Sequence, residues 1–204
     1  MLFPTLGSTP KLPNSTFPQD FIYVDSSNLL VAAQHVELAR SGYVDQPSTA
    51  ALQKLRHPQL RLNFRNLADF LVGSDPAVLG RLFAVYSCDC GGDSIGAHFR
   101  RAGFDTIGLI RRNGKEKAVD THLILEATKD LVQAARTDVQ AELTLVSGDA
   151  DFLPLLELAQ TYGFKSTVLA YKHGIANSVR RIADKVIELD EWHKTLTFCV
   201  KERG

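Results

Sequence analysis

Short apolar runs rich in β-favouring residues alternate with longer amphipathic segments along almost the whole chain, and this alternation restricts the fold more than any other feature. The apolar runs have the length and composition of buried strands, at residues 21–24, 82–87, 105–110, 142–146, 165–170 and 186–189. Apolar residues at helical spacing occupy the segments between them, at residues 28–40, 47–72 (in two pieces divided near His57 and Pro58), 93–102, 119–135, 152–162 and 175–183. This order predicts an α/β fold of three layers, in which helices cover both faces of a mostly parallel sheet of five to six strands.

Length, charge and cysteine content narrow the class of protein. The chain has 204 residues, and its 23 Lys and Arg balance its 23 Asp and Glu, so the formal net charge is zero. A zero net charge excludes a strongly basic protein that coats nucleic acid through bulk charge, but it leaves room for a local basic groove. The three cysteines form no CxxC pair, which favours a reducing compartment. No apolar run reaches membrane-spanning length, so we expect a cytoplasmic protein without a membrane partner.

The chain is predicted to form a single folded domain after a short lead-in. Residues 1–20 contain four prolines and little periodicity, so we expect them to be extended or poorly ordered. The domain then covers residues 21–204, with a helical insertion around 31–72.

Carboxylates stand where the predicted strands end. Asp25 directly follows the first strand, and Asp149 and Asp151 follow the fourth. Asp120 opens the helix predicted at 119–135. Because ligands of open parallel sheets bind at the carboxyl ends of the strands, these side chains are candidates for one site. Converging carboxylates repel one another unless a cation balances them, and Mg²⁺ and Mn²⁺ prefer oxygen ligands. Each aspartate alone also suits a helix N-cap, and within the Asp149 and Asp151 pair one residue can cap while the other binds metal.

Three motifs in order give the chain a family resemblance from about residue 21 to 190. They are VDSSNL at 24–29, KAVD at 117–120, and SGDADF at 147–152 followed by Pro154 and Leu155. Together they resemble the NYN domain family of the PIN-like nuclease superfamily, of the LabA-like type, and the segment 178–190 is similar as well. The chain departs from the family pattern at Ser26 and Ser27, where a glycine and an acidic or small residue are usual, and at Ala118, where glycine is usual.

The resemblance implies a PIN-like fold and a metal-dependent ribonuclease that hydrolyses RNA phosphodiester bonds. In that scheme Asp25, Asp120 and Asp149 hold Mg²⁺ or Mn²⁺. Asp151 completes the metal shell or orients the attacking water, and Asn28 hydrogen-bonds a ligand carboxylate or the substrate. All five of these residues are therefore candidate catalytic residues.

An acidic pocket repels phosphate, so a nuclease also needs basic residues around it. One basic group precedes Asp120, and the other lies near the end of the fifth predicted strand. The candidate RNA-binding residues are Arg111, Arg112, Lys115, Lys117, Lys172, Arg180 and Arg181. The expected partner is single-stranded or structured RNA.

Two other functions use the same fold. One is a non-catalytic module that binds RNA or a protein, for which the serines at positions 26 and 27 leave room. The other is a nucleotide phosphatase that uses the same acidic pocket. Because members of the family often pair, the resemblance leaves both a monomer and a homodimer open.

Overall fold

The computed structural model describes residues 18–73, 79–88, 94–110 and 118–200. Most of the predicted lead-in, residues 1–17, lies outside these ranges. The strands, in chain order, are β1 Gln19–Asp25, β2 Leu60–Leu62, β3 Leu79–Cys88, β4 Asp105–Ile110, β5 Ala141–Val146, β6 Lys165–Ala170, β7 Lys185–Glu188 and β8 Thr197–Cys199. The helices are α1 Ser26–Arg40, α2 Pro47–Leu52, α3 Phe64–Val72, α4 Ser94–Arg101, α5 Val119–Arg136, α6 Leu153–Thr161, α7 Asn177–Ile182 and α8 His193–Leu196.

Six strands form a central sheet in the order β4-β3-β1-β5-β6-β7, and its described pairings are parallel. The chain builds the sheet outward from β1 in one direction through β3 and β4, and then in the other direction through β5, β6 and β7. The strand order therefore reverses at β1, which lies between β3 and β5. In the register of β1 with β5, Val24 pairs with Val146, so the residues that follow these two strands meet at one edge of the sheet.

Helices cover both faces of this sheet, and each face has its own apolar core. Phe21 and Tyr23 of β1 join one core, which α5, α6 and α7 complete. The alternate residues Ile22 and Val24 join a second core, with apolar residues of α1, α3 and α4. Buried parallel strands are apolar on both faces for this reason. The predicted three-layer α/β fold is confirmed.

Individual elements agree with the sequence prediction to different degrees. The bounds predicted for β4 and β6 are confirmed, and most other bounds differ by one to three residues. The segment 31–72 contains the rest of α1, α2, α3 and the unpredicted strand β2. Leu60–Leu62 pairs with Thr197–Cys199 in an antiparallel ladder apart from the main sheet. The closing strand predicted at 186–189 is β7, and the chain continues beyond it into α8 and β8.

The longest described helix, α5, spans 18 residues and carries charged side chains along its length. Within the described parts of the chain, no helix combines the length and the apolar character that crossing a membrane requires.

Candidate active site

Asp25 is the last residue of β1 and also the N-cap of α1. Its Oδ1 accepts hydrogen bonds from the backbone N–H of Asn28 at 3.1 Å and from the hydroxyl of Ser27 at 2.9 Å. Its Oδ2 accepts one from the hydroxyl of Ser147 at 3.3 Å. The residue is only 2% exposed, and a buried carboxylate needs such donors. Asp25 is thus both a helix cap and a carboxylate fixed at the switch point of the sheet.

Asp149 stands close to the end of β5 and begins a single 3₁₀ turn, Ala150–Phe152. Its Oδ1 accepts a hydrogen bond from the backbone N–H of Asp151 at 3.1 Å, and its own N–H donates to Ser147 Oγ at 3.3 Å. The side chain of Asp151 is exposed. Of the two acids in this motif, Asp149 is therefore the cap.

The glycine of this motif permits a close approach between two backbone segments. A Cβ atom added at Gly148 would overlap the carbonyl oxygen of Gly174, so no larger residue fits without movement. The carbonyl of Gly148 also accepts a hydrogen bond from the backbone N–H of Ala176 at 2.9 Å. This contact fixes the turn that carries Asp149.

Asp120 lies in the first turn of α5, and Ala118 precedes that helix in the left-handed backbone conformation, with φ of +66°. Left-handed backbone costs a residue with a Cβ more than it costs glycine. The glycine that the family uses at this position therefore has a conformational reason. Ala118 keeps the conformation at some cost in stability.

Three of the four aspartates predicted as metal ligands line one cavity of about 290 Å³. Its lining residues are Asp25, Ser27, Asn28, Val31, Ala118, Val119, Asp120 and Asp149. They come from the β1–α1 junction, the start of α5 and the segment after β5. The structure thus brings together four of the five predicted catalytic residues. Asp151 is not among the lining residues.

The donors of this cavity match a hard cation in chemistry, because they are carboxylate oxygens. The arrangement is looser than a formed site: across the described ranges, no group of three or more His, Cys, Asp or Glu side chains is placed to hold a metal ion. The hydrogen bonds to both oxygens of Asp25 keep this side chain in place. Asp120 and Asp149 are less buried than Asp25. Their side chains, rather than that of Asp25, would therefore move to bring the three carboxylates closer together.

The residues predicted to contact RNA divide into two groups. Four of them lie outside the described residues: Arg111, Arg112, Lys115 and Lys117. Lys172 and Arg181 are exposed, whereas Arg180 forms an ion pair of 2.8 Å with Glu188 and donates to the carbonyl of Lys172 at 3.2 Å. None of these last three basic residues lines the aspartate cavity. Their contact with RNA stays a prediction.

Two serines do more at the site than the sequence indicates. Ser27 donates a hydrogen bond to Asp25, although this serine is a departure from the family pattern. Ser26 is buried, and its hydroxyl donates to the carbonyl of Val85 in β3 at 2.9 Å, which ties the start of α1 to the sheet. No spacing pattern in the sequence marks the contact of Ser26, because its acceptor Val85 becomes a neighbour only in the fold.

Comparisons with known proteins agree with this architecture. A crystal structure of a protein of unknown function from Vibrio parahaemolyticus is similar with a TM-score of 0.58 and 20% sequence identity, over 89% of this chain and 96% of that one. At that identity the likeness shows the fold alone. The uncharacterised protein y4oD of Sinorhizobium fredii is 27% identical over 88 residues, which are 43% of this chain and 39% of that protein. The chain thus matches well under half the length of this relative.

A family model covers most of the chain. The NYN domain model matches residues 21–190, which include most of β1, all of β2 through β7 and all the aspartates of the cavity. The resemblance predicted from the three motifs is therefore confirmed, and this protein belongs to the NYN domain family, within the PIN-like nuclease superfamily.

Proposed function

We propose that this protein is a metal-dependent ribonuclease that hydrolyses RNA phosphodiester bonds at the aspartate cavity. One observation carries the proposal: Asp25, Asp120 and Asp149 come from three separate segments and line one cavity. That cavity lies where the strand order reverses, which is the usual ligand position in an open parallel sheet. Membership of a nuclease-like family agrees with this chemistry.

The three carboxylates would hold Mg²⁺ or Mn²⁺, and a bound ion of this kind activates water and offsets charge on a phosphate. The surrounding residues of the chain hold these carboxylates in position. Ser27 and Ser147 orient Asp25 through hydrogen bonds to different oxygens. Ser147 also accepts from the N–H of Asp149, so Asp25 and Asp149 share one anchor. The side chain of Asp151, exposed beside Asp149, would orient water from outside the cavity.

A non-catalytic RNA-binding module of the same fold is the second candidate. It is favoured by the absence, among the residues described, of any three ligands placed to hold a metal. The hydrogen bonds that already occupy the carboxylate of Asp25 favour it as well. Both candidates use the same surface, and metal binding and hydrolysis distinguish the first from the second.

The test is a cleavage assay with labelled single-stranded and structured RNA in Mn²⁺, in Mg²⁺ and in EDTA. We expect cleavage in either metal, none in EDTA, and a loss of at least about a hundredfold in Asp25→Asn and Asp149→Asn, because each removes a charged ligand. Asp45→Asn is the matched control, since Asp45 is exposed and does not line the cavity.

Each other result has a defined meaning. Cleavage that persists in both active-site variants would contradict the proposal. RNA binding without cleavage under every metal condition would favour the non-catalytic module. Release of inorganic phosphate from mononucleotides, without RNA cleavage, would favour a nucleotide phosphatase.

A further inference from the structure

A cleft of about 880 Å³ adjoins the aspartate cavity. Ser27 lines both the cleft and the aspartate cavity, and its hydroxyl donates a hydrogen bond to Asp25. Segments distant in sequence form the walls of the cleft: the start of α1, β2 with the start of α3, the helix α4, and Phe198 of β8. Binding sites for small organic groups commonly have volumes of roughly 300–1,000 Å³.

Phenylalanine and tyrosine rings line this cleft. The rings of Phe64 and Phe99 lie 4.0 Å apart between centroids, and Tyr86 stacks on Phe99 at 5.9 Å with an interplanar angle of 23°. Phe99 and Tyr86 are buried, and Phe99 packs between Phe64 and Tyr86 as a neighbour of both. Phe198 lines the cleft as well, and its side chain is 48% exposed. The cleft therefore offers flat apolar surface beside a carboxylate site.

The charged residues of the cleft are basic. Arg61, Arg65 and Arg101 line it, and no Asp or Glu is among its described lining residues. Arg65 pairs with Asp69 on the helix surface, and Arg61 donates to the backbone carbonyls of Pro58 and Leu60. Arg101 is exposed and forms no hydrogen bond or ion pair with any residue in the described ranges. Its guanidinium is thus available to an anionic ligand.

We infer that this cleft binds an unpaired base of single-stranded RNA, next to the phosphodiester bond at the aspartate cavity. Flat aromatic surface stacks on a base, and arginines contact the phosphates on either side of it. In a duplex the base faces are covered by their neighbours, so only an unstacked base can enter an apolar cleft. The inference rests on the proposed function, and it adds the place where the base beside the cleaved bond is held.

Binding can be measured apart from hydrolysis. The protein carries Asp149→Asn and is kept in EDTA, and its affinity for a fluorescent single-stranded oligoribonucleotide and for the corresponding duplex is measured by anisotropy. We expect Phe198→Ala to weaken single-strand binding about tenfold, because a base loses its stacking partner. Arg101→Ala is expected to weaken it severalfold and to reduce its salt dependence.

Controls of the same residue type lie outside the cleft. Tyr162 is an aromatic side chain of similar exposure, at 42%, and Arg136 is an exposed arginine. Tyr162→Ala and Arg136→Ala are expected to leave single-strand affinity unchanged. Equal affinity for single strand and duplex, or equal effects of cleft and control variants, would overturn the inference. Unaltered melting temperatures would show that Phe198→Ala and Arg101→Ala fold normally.

The two proposals fail in different ways. If single strands bind in the cleft but no metal supports cleavage, the cleft inference stands and the nuclease proposal fails. If RNA is cleaved at the aspartates while Phe198→Ala and Arg101→Ala bind and cleave as the wild type does, the nuclease proposal stands and the cleft inference fails.

Discussion

Ser147 and Asp25 lie 122 positions apart in the chain, and the hydroxyl of Ser147 donates a hydrogen bond of 3.3 Å to Oδ2 of Asp25. The same hydroxyl accepts a hydrogen bond from the backbone N–H of Asp149. Ser147 is 1% exposed, so the contact is shielded from water. One buried serine therefore connects the carboxylate of Asp25 to the backbone of Asp149 across neighbouring strands.

Replacing this serine tests the connection. We expect Ser147→Ala to lower the free energy of unfolding by about 1–2 kcal/mol, because it removes a buried hydrogen bond to a carboxylate oxygen. RNA cleavage should also fall, since Asp25 is less firmly oriented. Urea unfolding and the cleavage assay measure the two effects. Ser48→Ala, at an exposed serine, is the control, and an equal response of the two variants would contradict the account.

The contact between Gly148 and Gly174 makes an asymmetric prediction. Gly148→Ala puts a Cβ into the carbonyl of Gly174, and we expect it to destabilise the fold by about 1–3 kcal/mol and to displace Asp149. Gly174→Ala is the control from the other side of the same contact, because the nearest neighbour of its added Cβ would be the Cβ of Ala32 at 3.8 Å. Thermal unfolding distinguishes them. Similar losses in both variants would show that the close approach is not the cause.

The left-handed backbone conformation of Ala118 predicts that glycine at this position, beside the site, stabilises the protein. Glycine adopts its φ of +66° without the steric cost that Ala118 bears, so we expect Ala118→Gly to raise stability by about 0.5–1 kcal/mol after the entropy of the unfolded chain is included. In regular helix the sign reverses, and Ala135→Gly in α5 should lose about 1 kcal/mol. Denaturant unfolding of both variants gives the comparison. A loss of stability in Ala118→Gly would contradict the described conformation.

Asp20, at the opposite end of β1 from Asp25, predicts a pH dependence. Burial raises the pKa of Asp20 to about 6. Repulsion from Glu142 adds a smaller rise, whereas a hydrogen bond from Thr144 acts in the opposite direction and lowers the pKa. A pKa above that of the unfolded chain means that the protonated form contributes stability, which is complete below about pH 4 and is lost as the pH rises through 6.

The neutral variant Asp20→Asn resembles the protonated acid at every pH. We therefore expect it to exceed the wild type in stability at pH 7.5 by on the order of 1 kcal/mol, allowing for partial solvent screening, and to match it near pH 4. Urea unfolding of both proteins across this range checks the prediction. A difference between them that does not vary with pH would refute the assignment to Asp20.

Most of the sheet could be predicted because strands buried on both faces are continuous apolar runs, as residues 21–24 and 82–86 illustrate. The ladder of Leu60–Leu62 with Thr197–Cys199 could not be predicted, since three residues give too short a pattern and the partners are far apart in sequence. The single 3₁₀ turn Ala150–Phe152 also has no distinct periodicity, so the helix predicted from 152 follows a turn that the sequence did not indicate.

The candidate site could be predicted to a similar extent as the sheet. Asp25, Asp120 and Asp149 follow from one rule, that the carboxyl ends of parallel strands meet, and the structure places them on one cavity. The exclusion of Asp151 depends on the direction of a short turn, which residue types alone do not determine. The large cleft was not predicted because Phe64, Arg101 and Phe198 belong to three segments with no common motif.

Calorimetric titration of Mn²⁺ into the protein is the most direct test of the central claim, that the aspartate cavity is a metal site. We expect saturable binding to the wild type and to Asp45→Asn, and binding at least about tenfold weaker in Asp120→Asn and in Asp149→Asn, since each loses a charged ligand. Absence of saturable binding to the wild type at millimolar Mn²⁺, or binding that all these variants retain equally, would contradict it.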